Sequence, residues 1–322
     1  MLVDVGCKMG GGILFPKGLV NEIRAVNLEQ LTGSLKTWDI ENSLLKKGEF
    51  KAFVKTLHSS NIQLGFLSQS LPSLKRGTFP KGTILIFLFH KGQDGAVFLN
   101  QKLLKNEIMI VEEGQEIELI TAQAMEVLSL AINRELFLVE FEAYFHKSLS
   151  SVVNAQKIRL KESAALELDS FLMTLLFNEQ TAILLKKMKD DHAFIEEQIL
   201  QKLFESIEFI QEEKKSKKFD ARIIKKYIDE NFQHNVKMSE LAKELGISRR
   251  LLFSAFKEYY GHSPSKYLWS LRLNKAHELL TKTSENEKKV SEIAMECGFS
   301  HMSYFTREYK AMYKKLPSQS KK

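Results

Sequence analysis

The sequence is short of the residues from which several kinds of chemistry are built. It holds two cysteines, Cys7 and Cys297, near opposite ends of 322 residues. Two thiols so placed give neither a disulfide framework nor a Cys-rich zinc site, and this usage fits a reducing cytoplasm. Histidine is equally sparse: residues 1–145 carry only His58 and His90, in separate segments with no His-x-His pair. A metal-dependent enzyme needs two or three histidines and a carboxylate converging on one open site. No Gly-x-Ser-x-Gly elbow occurs, and neither cysteine has a recognisable nucleophile setting. The glycine cluster "KMGGGILF" lacks the strand–helix context and the Lys-Ser/Thr of a phosphate loop. No catalytic residue, bound metal or cofactor is therefore expected. Long apolar runs are missing too. The longest, "ILIFLF" at Ile84–Phe89, is far too short to span a bilayer, and the start has no basic segment followed by a long apolar core. We expect a cytoplasmic protein that is not an enzyme and has no membrane partner.

What is present is an ordinary globular composition, 44% hydrophobic and 27% charged, long enough for two domains. The net charge of +7 is unevenly spread. From Phe219 onward 20 basic residues face 12 acidic ones, whereas residues 1–218 hold 27 and 28. A cationic last third suggests a polyanionic partner, although a lysine-rich surface also arises without function.

Along the chain the hydrophobic period changes once. "SNIQLGFLSQSL", "KGTILIFLFHKG", "GAVFLNQKLL", "NEIMIVEEGQEIELIT" and "AMEVLSLAIN" are short apolar runs between Gly, Asn, Asp and Pro, the pattern of an antiparallel sandwich or barrel. Gly114 in "EEGQEIEL" marks a candidate hairpin turn. From about Lys147 the runs read as helices, and Ile195, Ile199, Leu203, Ile207 and Ile210 recur at three- and four-residue steps. That stripe would serve either a homodimer contact or packing on the barrel. "EEKKSKKFD" reads as a linker, and everything after it as helix, with Asp220 capping the first. The expected fold is α+β: a β-rich domain over 1–150, a helical connector or dimerisation region over 151–211, a linker over 212–219, and an all-α domain over 220–322.

The all-α part repeats itself. Ser239-Glu240-Leu241-Ala242 matches Ser291-Glu292-Ile293-Ala294, and Gly246-Ile247-Ser248 matches Gly298-Phe299-Ser300. After one inserted residue, Leu252, Phe256 and Lys257 meet Phe305, Tyr309 and Lys310, and later Pro264 meets Pro317. In each copy a Ser caps a short helix, Ala lets a second helix cross closely, Gly takes a strained turn, and a second Ser caps the next helix. This is the logic of a helix-turn-helix, whose second helix fits a major groove. "SPSKYLWSLRLNKAHELL" joins the copies as one long helix, with Pro264 tolerated in its first turn.

Two such units on one connecting helix resemble the DNA-binding domain of the AraC/XylS family of bacterial transcription regulators. The likeness covers roughly 220–320 and is strongest in "GFSHMSYFTREYK" and "SPSKYLWSLRLNKA". It implies two helices entering adjacent major grooves of double-stranded DNA, about one turn or 34 Å apart. Carried over position by position, the first would present Arg249, Arg250, Phe253 and Ser254, with Arg249 and Arg250 reading guanine or touching only phosphate. Ser254 stands where relatives often carry Arg, implying looser base reading. The second would present His301, Met302, Ser303, Thr306 and Arg307, with Arg307 the foremost base reader and His301 a groove or phosphate contact. Lys257 and Lys310 are phosphate candidates, while Leu252, Phe256, Phe299, Phe305 and Tyr309 belong to the core. Lys314 replaces a common family Gly, which puts that helix end in question, and "TKTSENEKK" is a longer connection than usual. The resemblance further implies a cupin-like N-terminal sensor for a small-molecule effector, with Phe79, Phe87, Phe89 and Phe98 as candidate lining residues or plain core. It also implies RNA polymerase as a partner and activation as the commoner outcome. The rivals are a non-sensing DNA binder and a DNA-repair methyltransferase, which would need the cysteine cluster this chain lacks.

Overall fold

The computed structural model describes Phe15 and residues 19–34, 38–104, 106–152, 157–181, 183, 192–208, 219–234, 236–282 and 288–321. The glycine cluster, Cys7, Ile210 and the linker over 212–218 lie outside the described residues, as does most of the "TKTSENEKK" connection.

Thirteen described strands form two antiparallel sheets. They are β1 (Val20–Ala25), β2 (Asp39–Leu44), β3 (Ala52–His58), β4 (Ile62–Gln69), β5 (Ser73–Thr78), β6 (Thr83–Lys91), β7 (Val97–Phe98), β8 (Gln101–Lys102), β9 (Glu107–Val111), β10 (Ile117–Ile120), β11 (Met125–Asn133), β12 (Lys157–Leu160) and β13 (Ile207–Glu208). The larger sheet runs β1-β3-β4-β11-β6-β9-β12-β13 and the smaller β2-β5-β10-β7-β8. Strand β6 explains why its sequence reads as one unbroken apolar run. Alternate side chains point to opposite faces of a strand. Leu85 and Phe87 therefore enter a core shared with Ile40, Phe98 and Leu119 of the smaller sheet, while Ile84, Ile86 and Leu88 pack under helices. Both faces are covered, so neither is polar.

Those helices are α2 (Arg134–Phe145), α4 (Glu162–Phe177) and α5 (Ala193–Ser206), following the short α1 (Leu28–Ser34) and α3 (Leu149–Val152). Two expectations change here. Strands β9 and β10 flank Gly114 but do not pair: β9 joins β6 and β12, and β10 joins β5 and β7, so the turn passes between sheets instead of closing a hairpin. Alternation reports which face is buried and is blind to the partner strand. The stretch expected as a purely helical connector also supplies β12 and β13, which extend the larger sheet. The stripe Ile195, Ile199 and Leu203 is buried in the same core as Ile62, Leu130 and Phe137, so it packs on the barrel. Glu196 locks this arrangement, accepting from Ser59 Oγ at 2.6 Å, Asn61 N at 2.8 Å and Asn61 Nδ2 at 2.9 Å.

The C-terminal region is helical: α6 (Ala221–Asn231), α7 (Met238–Glu244), α8 (Arg249–Tyr260), α9 (Pro264–Lys282), α10 (Val290–Glu296), α11 (Met302–Tyr313) and a 3-10 turn at Pro317–Ser320. It packs directly on the smaller sheet. Leu44, Phe50 and Leu71 share one core with Leu273, Ile293 and Phe305, and Leu45, Leu74 and Ile120 share another with Ile224, Phe256 and Tyr267. A polar knot crosses the same boundary. Arg76 donates to Glu118 and Asp229 at 2.7 Å each, Lys225 donates to both at 2.8 Å, and the Tyr267 hydroxyl donates to Asp229 at 2.9 Å.

Candidate nucleic-acid interface

The two sequence repeats fold alike. In the first unit Leu241 and Ala242 of α7 are buried, Gly246 turns the chain at φ +65°, and Ile247 N donates to Ala242 O at 3.0 Å. In the second, Ile293 and Ala294 of α10 are buried, Gly298 turns at φ +83°, and Phe299 N donates to Ala294 O at 3.0 Å. Glycine is needed because the left-handed region penalises a Cβ. At Gly298 a Cβ would also stand 2.8 Å from Arg272 Nε. The connecting helix α9 has 19 residues, about 28 Å at 1.5 Å per residue. Its Arg272 ties the connecting helix to the first unit's side, donating to the carbonyls of Phe232 and His234 at 2.6 Å each.

The caps are only partly those the sequence suggests. Asp220 accepts from Arg222 N and Ser248 from Leu251 N, as expected. Ser239 and Ser291 are not N-caps, because α7 and α10 begin one residue earlier, at Met238 and Val290, with Lys237 and Lys289 before them. Glu292 instead closes the start of α10 by accepting from Lys289 N at 2.9 Å. Ser300 is likewise displaced by His301 ahead of α11. The inserted residue shifts the second copy by one position. Lys314 takes the left-handed conformation itself at φ 62°, its N–H donating to Lys310 O, so the helix ends as Gly261 ends α8 at φ 75°.

The side chains picked from the sequence divide between surface and core. Arg249, Arg250, Ser254, Lys257, His301, Ser303, Arg307 and Lys310 are exposed, and Phe253, Met302 and Thr306 are half-buried. The Arg249 guanidinium lies 5.4 Å from the Phe253 ring centroid, so Phe253 steadies a cation as well as packing. Arg307, with 70% of its side chain exposed, lies 5.1 Å from the Tyr304 ring and donates to Glu308 at 3.2 Å. Leu252, Phe256, Phe299, Phe305 and Tyr309 are buried, as expected of core positions.

Beside α11 opens a cleft of about 850 Å³ that the sequence does not reveal. Lys266, Trp269 and Arg272 of the connecting helix line it with His301 and Tyr304, and Lys46 and Lys47 reach it from the β-rich domain. The signal available was Lys266 itself, inside a motif that reads only as a spacer. Separately, a cavity of about 80 Å³ lies between the two sheets, lined by Phe87 and Phe98 but not by Phe79 or Phe89, which sit in the core around it. Its polar groups are few: Trp38 donates to Gln63 at 2.9 Å, and Lys75 Nζ donates to Asn42 Oδ1 at 2.5 Å. Burial pushes the Lys75 amine down to about 7. Among the described residues no group of three His, Cys, Asp or Glu side chains is placed to hold a metal, and no helix is long and apolar enough to cross a membrane.

Paired helix-turn-helix units on a shared helix define the class of the C-terminal domain, and residues 241–322 match the family model described as "Helix-turn-helix domain". Over this C-terminal part the chain is similar to the DNA-binding domains of AraC/XylS-family transcription regulators. It is similar to the XylDLEGF operon transcriptional activator of Pseudomonas putida, at 30% identity over 94 residues, 29% of each chain. The virulence regulon transcriptional activator VirF of Yersinia enterocolitica is 34% identical over 98 residues, 30% of this chain and 35% of that one. The chain thus spans about a third of the length of these curated relatives. Among solved structures, a probable AraC family transcriptional regulator from Rhodopseudomonas palustris CGA009 is 33% identical, with TM-score 0.29, covering 31% of this chain and 92% of that one.

Proposed function

We propose that this chain is a cytoplasmic, sequence-specific DNA-binding transcription regulator, an activator by preference, whose N-terminal domain senses a small molecule. The observation that carries the reading is the pair of matched units: two exposed, basic second helices held by one rigid helix about 28 Å long. That length suits neighbouring major grooves on one face of the duplex, spaced about 34 Å apart. Arg249, Arg250 and Arg307 supply bidentate donors for guanine edges, while Lys257 and Lys310 supply salt-dependent attraction to phosphates. Because the units are not identical, the site is bipartite and non-palindromic. The inter-sheet cavity supports a compact effector of a few non-hydrogen atoms, apolar on most sides and met by Lys75, Asn42 and Gln63. Effector binding would alter how the smaller sheet supports the helices, and with that the contact to RNA polymerase. No catalytic role is assigned.

The test is selection of duplexes from a random pool by the full-length protein, followed by footprinting. Two protected major-groove segments about ten base pairs apart on one face are expected. Failure to enrich any sequence, or enrichment of a perfect palindrome, overturns the reading.

A further inference from the structure

The cleft beside α11 is built from both halves of the chain, and its charges are only partly neutralised. Lys47 is committed: its Nζ lies 2.5 Å from Glu308 and 5.2 Å from the Trp269 ring centroid. Glu308, the carboxylate lining the cleft, is thereby neutralised by Lys47 and by Arg307. Arg272 directs its donors to two backbone carbonyls. Lys46 and Lys266 have no acidic partner among the described residues, yet they sit in the same cleft. The Lys266 ammonium is pushed down first by burial and then by the charge of Lys46. The Trp269 indole Nε1 is buried with no hydrogen-bond acceptor among the described residues. Two uncompensated cations and an orphan donor, in a cleft that the start of a recognition helix also lines, constitute a site for an anion.

We propose that this cleft seats a backbone phosphate of the bound DNA, with Lys46 of the N-terminal domain and Lys266 of the connecting helix as its ligands, so that the sensor half itself touches the duplex. This rests on the reading that α8 and α11 enter DNA. The cleft is wide and open, and it is continuous with His301 and Tyr304 of α11. Those features favour a phosphate on an extended polyanion over an enclosed small anion. A phosphate there would relieve the repulsion between Lys46 and Lys266. The N-terminal domain would then contribute affinity directly, and any effector that moved residues 45–48 would change DNA binding without reshaping either recognition helix.

The experiment measures the salt dependence of binding by full-length protein to a duplex selected from the random pool and to a random duplex of about 30 base pairs. It compares wild type, Lys46→Ala, Lys266→Ala and Lys310→Ala. Removing one phosphate ligand lowers the slope of log affinity against log salt by about 0.9, so the fall in affinity between about 50 and about 200 mM NaCl shrinks about 3–4-fold. Lys46→Ala and Lys266→Ala are expected to show this on both duplexes, with thermal stability at least equal to wild type because neither lysine gives up an acidic partner. If Lys310→Ala lowers the slope and Lys46→Ala does not, DNA binding stands and the cleft proposal falls. If wild type shows no salt-dependent binding to either duplex, both fall. As a second readout, duplex binding should change the emission of Trp269 in a Trp38→Phe background. Inorganic phosphate producing the same change at micromolar concentration, with duplex producing none, would assign the cleft to a small anion and overturn the proposal.

Discussion

Replacing Lys75 with methionine should stabilise the protein at pH 6 and lose that effect as the solution becomes alkaline. Lys75 is 5% exposed, and its only hydrogen-bond partner among the described residues is the amide oxygen of Asn42. An ammonium in such a place is disfavoured because burial removes its hydration, which lowers its pKa from 10.5 to about 7. Below about pH 7 the group is charged in both folded and unfolded chains, and the folded state carries the whole cost. Between about 7 and 10.5 the unfolded lysine keeps its proton while the folded one has released it, so stability rises with pH. Above 10.5 both are neutral and the cost has gone. At about 1.36 kcal/mol per pKa unit the full effect is roughly 3–5 kcal/mol. Removing the bond to Asn42 offsets about 1 kcal/mol of this. Lys75→Met is therefore expected to raise the unfolding free energy by roughly 2–4 kcal/mol at pH 6, shrinking towards zero by about pH 10. Urea unfolding followed by tryptophan fluorescence at several pH values measures it. A variant less stable than wild type at pH 6, or a gain independent of pH, would refute the argument.

Arg307→Ala should weaken binding to the selected duplex by about 1–3 kcal/mol more than to random DNA, read by fluorescence anisotropy, whereas equal losses would leave Arg307 a phosphate contact. Lys314→Gly should stabilise by about 1 kcal/mol in a thermal melt, because the left-handed turn at φ 62° already exists and only the Cβ strain is removed. Gly261→Ala should cost roughly 2–4 kcal/mol, since a Cβ there lies 2.3 Å from Ala122 Cβ at the domain boundary. Gly246→Ala, with a similar φ but nothing within 4 Å, should cost only about 1–2 kcal/mol. His58 and His277 are both pushed down to about 4, chiefly by burial. The unfolded chain takes up their protons first, so stability should fall as pH drops from about 6.5 to about 4, and His58→Gln with His277→Gln should flatten that fall in an acid titration.

The helical third was legible because its determinants are local. Gly246 and Gly298 advertise a backbone that only glycine adopts cheaply, and the spacing of Leu241, Ala242, Leu252 and Phe256 records one buried face. The exposed arginines followed from the same register. Helix starts were harder: serine at position 239 or 291 looks like a cap, but each helix begins one residue sooner, behind a lysine, and at the second a glutamate three residues on closes the end. The barrel was legible strand by strand and opaque in its pairing. Nothing in "EEGQEIEL" says that the chain leaves one sheet for the other at Gly114. The helix at Ala193–Ser206 showed an apolar stripe without saying what covers it, and Glu196, which fixes the answer, is indistinguishable in sequence from a solvated residue. The basic cleft was invisible for a similar reason. Lys46 and Lys266 are 220 positions apart, and only tertiary packing makes them neighbours.

The shared cores between the smaller sheet and the C-terminal helices bear on how such proteins can be recombined. Leu273, Ile293 and Phe305 complete their packing with Leu44, Phe50 and Leu71 from the other half. Grafting a foreign N-terminal domain onto these helices would replace one side of that jigsaw while leaving the other, opening gaps under the very helix that joins the two helix-turn-helix units. Chimeras built by exchanging whole halves should therefore lose stability at the seam, unless the seam residues travel with the graft.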